Sequence, residues 1–342
     1  MSDEDFTLTA QLQSLILDRL FRLLSEHYVF PELVPAVEKT LRQQFDTGAY
    51  EDCTAFDVFC EVVTKQMSES CHDRHLVLRS HAEALPLYET ENLTRSERWQ
   101  TQMAEMETLR NFGFQKVERL DGNIGYLDLR FFSSPAIAGD TAVAAMAFLA
   151  HTNALIIDLR YNDGGENYMA HLLTSYLVEA EPMLLNSFYL RPQQSTQQCW
   201  TLPYVPGKRY VNKPVYLLTS PATASAAEEF AYTLQQSRRA TVIGERTMGA
   251  ANPVEHYQIT EHVTALIPIG TSINAVSGTN WEGTGVVPDK EVPEAQALHV
   301  AHVEAVQQML AEAHVHLSPF AYEALEQEAH TLIKGQIFLH EE

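Results

Sequence analysis

Between Leu8 and Ser80 apolar residues recur at helical spacing: Leu12, Ile16, Leu20, Leu23 and Leu24 share one stripe, and similar stripes predict helices over 33–45 and 55–68. Residues 1–80 therefore read as an N-terminal helical bundle. Residues 81–111, with Pro86 and the polar run ERWQTQMAEMETLR, read as a linker carrying an exposed helix. From 112 to 293 the period changes. Short apolar runs at 124–129, 155–159, 215–218 and 241–243 predict buried strands, with helical stretches at 142–149, 169–177 and 224–236 between them. Such alternation implies an α/β fold with a parallel sheet and crossover helices. The insertion over 187–212, with Tyr189, Trp200 and Tyr204, is strand-rich and suited to walling a cleft. Residues 294–342 read as C-terminal helices, two amphipathic stretches separated at Ser318 and Pro319.

Composition narrows the class. A chain of 342 residues with 45% hydrophobic and 20% charged residues can bury one large core plus a smaller unit. A formal net charge of −22 argues against nucleic acid and anionic membrane surfaces as partners, because both repel a polyanion. The acidic start MSDEDFTLTA is unlike a secretory leader, and no run approaches the roughly 20 apolar residues of a membrane span. Cytoplasmic residence is the expectation. The four cysteines, Cys53, Cys60, Cys71 and Cys199, show no disulfide-framework spacing, which fits a reducing compartment. Cys71, His72 and His75 have no second Cys/His pair at usable spacing, so no metal and no cofactor is expected.

Candidate chemistry concentrates in PVYLLTSPATASAAEEFA (214–231), an apolar strand-like run that turns through small residues into a helix and presents Ser225 at the junction. The free N–H groups of a first helical turn stabilise negative charge developing beside such a serine. Helix capping by Ser225 or Thr223 is the plainer reading. In ALIIDLRYNDGG (154–165) a second buried strand ends in paired glycines before a helix, so Gly164 and Gly165 are candidates to complement the N–H of Ala226 in an oxyanion hole. Glu282 lies in a glycine-flanked loop, WEGTGVVP (281–288). Glu228 and Glu229 read first as solvated helix residues, and Asp158 with Arg160 as an internal ion pair.

DLRYNDGG, TSPATASAAEEFA, GERTMGAA (244–251) and EGTGVVPD (282–289), in this order, resemble the tail-specific (C-terminal processing) serine peptidase superfamily, and most its interphotoreceptor retinoid-binding-protein-like branch without a PDZ module. The resemblance covers roughly 110–293 and implies a Clp-protease/crotonase-like ββα core. Where the family places a lysine general base, this chain has Ala250. A serine needs some base to take its proton. SCHDRHLVL (70–78) resembles the Asp-x-His element of the branch that includes the tricorn core protease, which makes His75 the candidate base and Glu282 its orienting carboxylate. His256 and His262 are the fallback bases. The function so implied is a serine-type peptidase acting on a peptide or other acyl substrate, with self-association open. The alternative is a non-catalytic carrier of a retinoid-like or lipid-like ligand, which loss of the lysine fits.

Overall fold

The computed structural model of the chain describes residues 8–316, 318, 320, 322, 323 and 325–327. The second C-terminal stretch expected beyond Pro319 lies largely outside them. The chain runs through α1 (Ala10–His27), α2 (Val34–Asp46), α3 (Phe56–Cys71), β1 (Val77–Ser80), α4 (Glu97–Leu109), β2 (Phe114–Leu120) and β3 (Ile124–Leu129). It continues through α5 (Pro135–Leu149), β4 (Ala154–Asp158), α6 (Asn167–Leu177), β5 (Leu184–Leu190), β6 (Ser195–Trp200), β7 (Val215–Thr219) and α7 (Ala226–Gln236). Last come β8 (Thr241–Gly244), β9 (Val254–Gln258), β10 (Val263–Pro268), β11 (Gly270–Asn274), β12 (Lys290–Glu291) and α8 (Glu294–His316).

Two compact units interleave along this path. The first is built from residues up to Glu105 with Asn186–Gln198 and Ala250–Ile273, the second from Met106–Leu185, Cys199–Gly249 and residues from Asn274 onward. In the first unit, the Thr9 hydroxyl caps α1 by accepting from the Leu12 N–H at 3.3 Å. The stripes of α1, α2 and α3 bury Ile16, Leu20, Leu24, Val37, Leu41, Phe59 and Val63 in one apolar core. That core also takes Tyr257, Val263, Ala265 and Ile267 from a three-stranded antiparallel sheet in the order β1-β10-β9. The N-terminal helices thus pack on one another and also share their core with strands supplied from late in the chain.

The second unit is an α/β layer structure. Its six-stranded sheet has the order β12-β8-β7-β4-β3-β2, parallel throughout except for the antiparallel β2–β3 pair. β4 (ALIID) and β7 (VYLLT) are buried at every position, as central parallel strands must be. One sheet face, with Ile124, Tyr126, Ile156, Tyr216, Leu218 and Ile243, packs on Ala297, Ala301, Ala305 and Val306 of α8. Helices α5, α6 and α7 pack side by side. The helix expected over 142–149 starts earlier, at Pro135, with the Ser134 side chain as its N-cap. Because β4 and β7 pair in parallel, the loops leaving their carboxyl ends emerge next to each other, where ligands bind in open α/β sheets. One loop carries Gly164 and Gly165, the other Ser225.

Candidate active site

Ser225 is the N-cap of α7 and has φ 53°, ψ −121°, a conformation L-residues rarely adopt. Such strain persists only where the surroundings enforce it, and a sharp strand-to-helix turn of this kind lifts a hydroxyl clear of the backbone. The enforcing group is Glu228. Its carboxylate, 0% exposed, accepts from the Ser225 N–H at 3.0 Å and from the Gly249 N–H at 2.6 Å, and the Thr247 hydroxyl donates to it as well. Glu228 is therefore no solvated-face residue, and neither is Glu229, which is 4% exposed and lies 2.7 Å from Nε2 of His171 on α6. Packing of α7 against α6 covers Glu229, and the 247–249 segment closes over Glu228. The spacing Ser-x-x-Glu at a helix start was the available sequence signal for Glu228.

The loop after β4 lies against this turn. A Cβ added at Gly164 (φ 108°) would meet Ser225 Cβ at 2.6 Å and Ala226 N at 3.2 Å, so only glycine fits there. The Gly164 N–H, expected to be an oxyanion donor, instead donates to Asn162 Oδ1 at 2.9 Å. An N–H already committed inside the fold is not free for a ligand. The N–H groups of Gly165 and Ala226 have no intramolecular acceptor among the described residues. Asp158 and Arg160 form the expected internal pair: Arg160 donates to both Asp158 oxygens, at 2.9 and 2.6 Å, and the Tyr126 hydroxyl also reaches that carboxylate, at 2.8 Å.

Glu282 sits in a turn fastened to the same cluster. The Gly283 N–H donates to Gly249 O at 2.9 Å, the Val286 N–H donates to Thr247 Oγ1 at 2.7 Å, and Trp281, 2% exposed, stacks at a tilt on Tyr232 of α7. The second unit thus brings together Ser225, Ala226, Gly164, Gly165 and the turn bearing Glu282, through Glu228 and the 247–249 segment. Ala250, the residue following Gly249, is fully buried.

His75 belongs to the first unit. α3 ends at His72 in the left-handed conformation (φ 56°), and the turn that follows is held by Asp73. The Asp73 carboxylate accepts from the His75 N–H at 3.0 Å, the Tyr28 hydroxyl at 3.1 Å and the Asn252 side-chain amide at 3.1 Å. Burial pushes Asp73 above the usual carboxylate range, and these hydrogen bonds oppose the rise. Burial also pushes the His75 imidazole down to about 4; hydrogen bonding to the Asn252 backbone opposes that fall and Arg79 adds to it. His75 Nδ1 is buried without a hydrogen-bond partner among the described residues. His256 is pushed down to about 4 by burial and packs its ring on Trp99, whereas His262 directs Nδ1 at the His81 carbonyl, 2.9 Å away. These two serve packing and strand ends.

Residues 123–292 match the family model described as Peptidase family S41. A carboxy-terminal-processing protease of Bartonella bacilliformis is 27% identical over 186 residues, covering 50% of this chain and 39% of its own. A carboxyl-terminal-processing protease of a Synechocystis species is 32% identical over 129 residues, covering 37% and 28%. The chain therefore spans well under half the length of these curated relatives. Among solved structures, mature CPAF superposes with a TM-score of 0.57 at 11% identity, over 89% of this chain and 98% of that one, a likeness of fold.

Proposed function

Since the chain belongs, through residues 123–292, to peptidase family S41 of the tail-specific protease superfamily, we propose that it is a serine peptidase that works through an acyl-enzyme. The observation that carries this is the strained Ser225 turn, held by a buried carboxylate beside two uncommitted N–H groups. In the proposed reaction Ser225 Oγ attacks the substrate carbonyl while His75 takes its proton. The N–H groups of Ala226 and Gly165 receive the oxyanion. Collapse returns the proton from His75 to the leaving amine, and water then hydrolyses the ester in a second round. Glu282 orients the imidazole and favours its protonated form during each transfer. This Ser/His/Glu arrangement takes the place of a Ser/Lys pair, for which Ala250 leaves no amine. Between β1 and β2 the described residues form helices and no strand, which supports a branch of the family without a PDZ module.

A serine-directed fluorophosphonate probe tests the reading. Wild-type protein is expected to be labelled at Ser225 and to cleave a quenched fluorescent peptide library, and Ser225→Ala to do neither while melting at the same temperature. A wild type that stays unlabelled but binds a retinoid or fatty acid would establish the carrier instead.

A further inference from the structure

Asn162, between β4 and the paired glycines, is 0% exposed and makes a hydrogen bond with every polar group it has. Its side-chain Nδ2 donates to the Leu129 carbonyl at the end of β3, at 2.8 Å, and its Oδ1 accepts from the Gly164 N–H at 2.9 Å. Its own N–H donates to Leu159 O, and its carbonyl accepts from the Ala224 N–H, both at 3.0 Å. One acceptor faces an N–H and one donor faces a carbonyl, so the amide orientation follows from its neighbours. A single residue thereby joins the end of β3 and the glycine turn through its side chain, and the approach to Ser225 through its carbonyl.

The other side of that glycine turn is tied down too. The Gly164 carbonyl accepts from the Phe132 N–H at 2.7 Å. The Gly164–Gly165 peptide is trans, so its N–H points opposite to that carbonyl, away from Phe132. With both flanking groups of Gly164 committed, the rotation of this peptide is set.

Resting on the serine hydrolase reading above, we infer that Asn162 is a positioning residue of the oxyanion hole: it pins the glycine turn so that Gly165 is the N–H that partners Ala226. It touches no reacting atom. It sets the spacing of two donors, one through its side chain and the other through its carbonyl to Ala224, and such donors act only when preorganised at hydrogen-bond distance from the developing charge.

The test measures how a fluorophosphonate modifies Ser225, resolving kinact from KI, in wild type, Asn162→Ala and Asn162→Asp. Loss of a single oxyanion donor lowers turnover by about 100- to 1,000-fold. A displaced donor in Asn162→Ala is expected to lower kinact by roughly tenfold or more, with KI within about twofold of wild type, at a temperature where both are fully folded. Asn162→Asp keeps the acceptor for Gly164 but turns a second oxygen toward the Leu129 carbonyl, and protonation restores the missing donor. Burial raises a carboxyl's affinity for the proton, so the kinact ratio of this variant to wild type is expected to climb as pH falls from 8 to 5. Unchanged kinact in Asn162→Ala, or a loss confined to KI, overturns the inference. If that variant does not fold, Asn162→Asp decides, and a ratio flat across this range overturns it. An unlabelled wild type, by contrast, would overturn the hydrolase reading itself.

Discussion

Ser225 holds a backbone conformation that costs on the order of 1–3 kcal/mol, and the Glu228 carboxylate offsets this by binding its N–H. Glu228→Ala would leave three donors, on Ser225, Thr247 and Gly249, without their acceptor at a buried site. Each unsatisfied buried group costs about 1–3 kcal/mol, so the three together imply a stability loss of about 3 kcal/mol or more by urea denaturation, with a fall in fluorophosphonate reactivity. Glu228→Gln keeps one acceptor and should lose less. At His75 the prediction concerns pH. The imidazole is held down to about 4 by burial, below its ordinary 6.5, so it stays neutral and able to take a proton well into the acid range. The acid limb of the labelling rate should therefore fall near pH 4 to 5; a limb at the ordinary histidine value would count against His75 as the base. The same shift has a stability sign. The unfolded chain takes up a proton near pH 6.5 that the folded imidazole refuses until about 4, so His75 and His256 lower stability as pH falls through that window. Asp73, whose folded affinity for the proton is raised, acts in the opposite sense.

Element types were legible wherever the period was strong. The stripes of α1 to α3 and the continuous apolar runs of β3, β4 and β7 appear within three residues of where they were expected. Boundaries set by capping were not. α5 begins at Pro135 because Ser134 caps it, a signal hidden by a helix that is apolar nearly all round. β2 was missed because it is an edge strand: with Gln115, Lys116 and Arg119 exposed and Val117 and Glu118 only half covered, FQKVERL carries no clean alternation. Packing between elements makes its own prediction. Ala301 of α8 is 0% exposed against the sheet, and Ala301→Leu should cost about 1–3 kcal/mol through overpacking, read as a lower urea midpoint at constant m-value.

On the scale of the whole molecule, the formal charge of −22 opposes compaction through self-repulsion. Raising salt from about 10 to about 150 mM shortens the screening length from about 30 to about 8 Å, and the melting temperature should rise by a few degrees. A fall would mean that attractive ion pairs, such as Arg22 with Glu91, outweigh the repulsion. The interleaving of the two units is the feature that reading the chain from end to end did not yield. Strand β10 pairs with β1, Val77 opposite Leu266, and local periodicity carries no record of which distant strand completes an edge.

What could be had from the amino-acid order alone was what neighbouring residues enforce: helix against strand, the serine at a strand-to-helix turn and the glycines after β4. Such features arise from contacts within a few positions, and spacing reports them. Folding alone gave Asn162 the Leu129 carbonyl to bind, closed Thr247 and Gly249 around the Glu228 carboxylate, and gave the N-terminal helices a sheet to cover. Each of those depends on groups far apart in the chain competing for the same buried donors, acceptors and apolar surface, and that competition is resolved only when the whole chain packs.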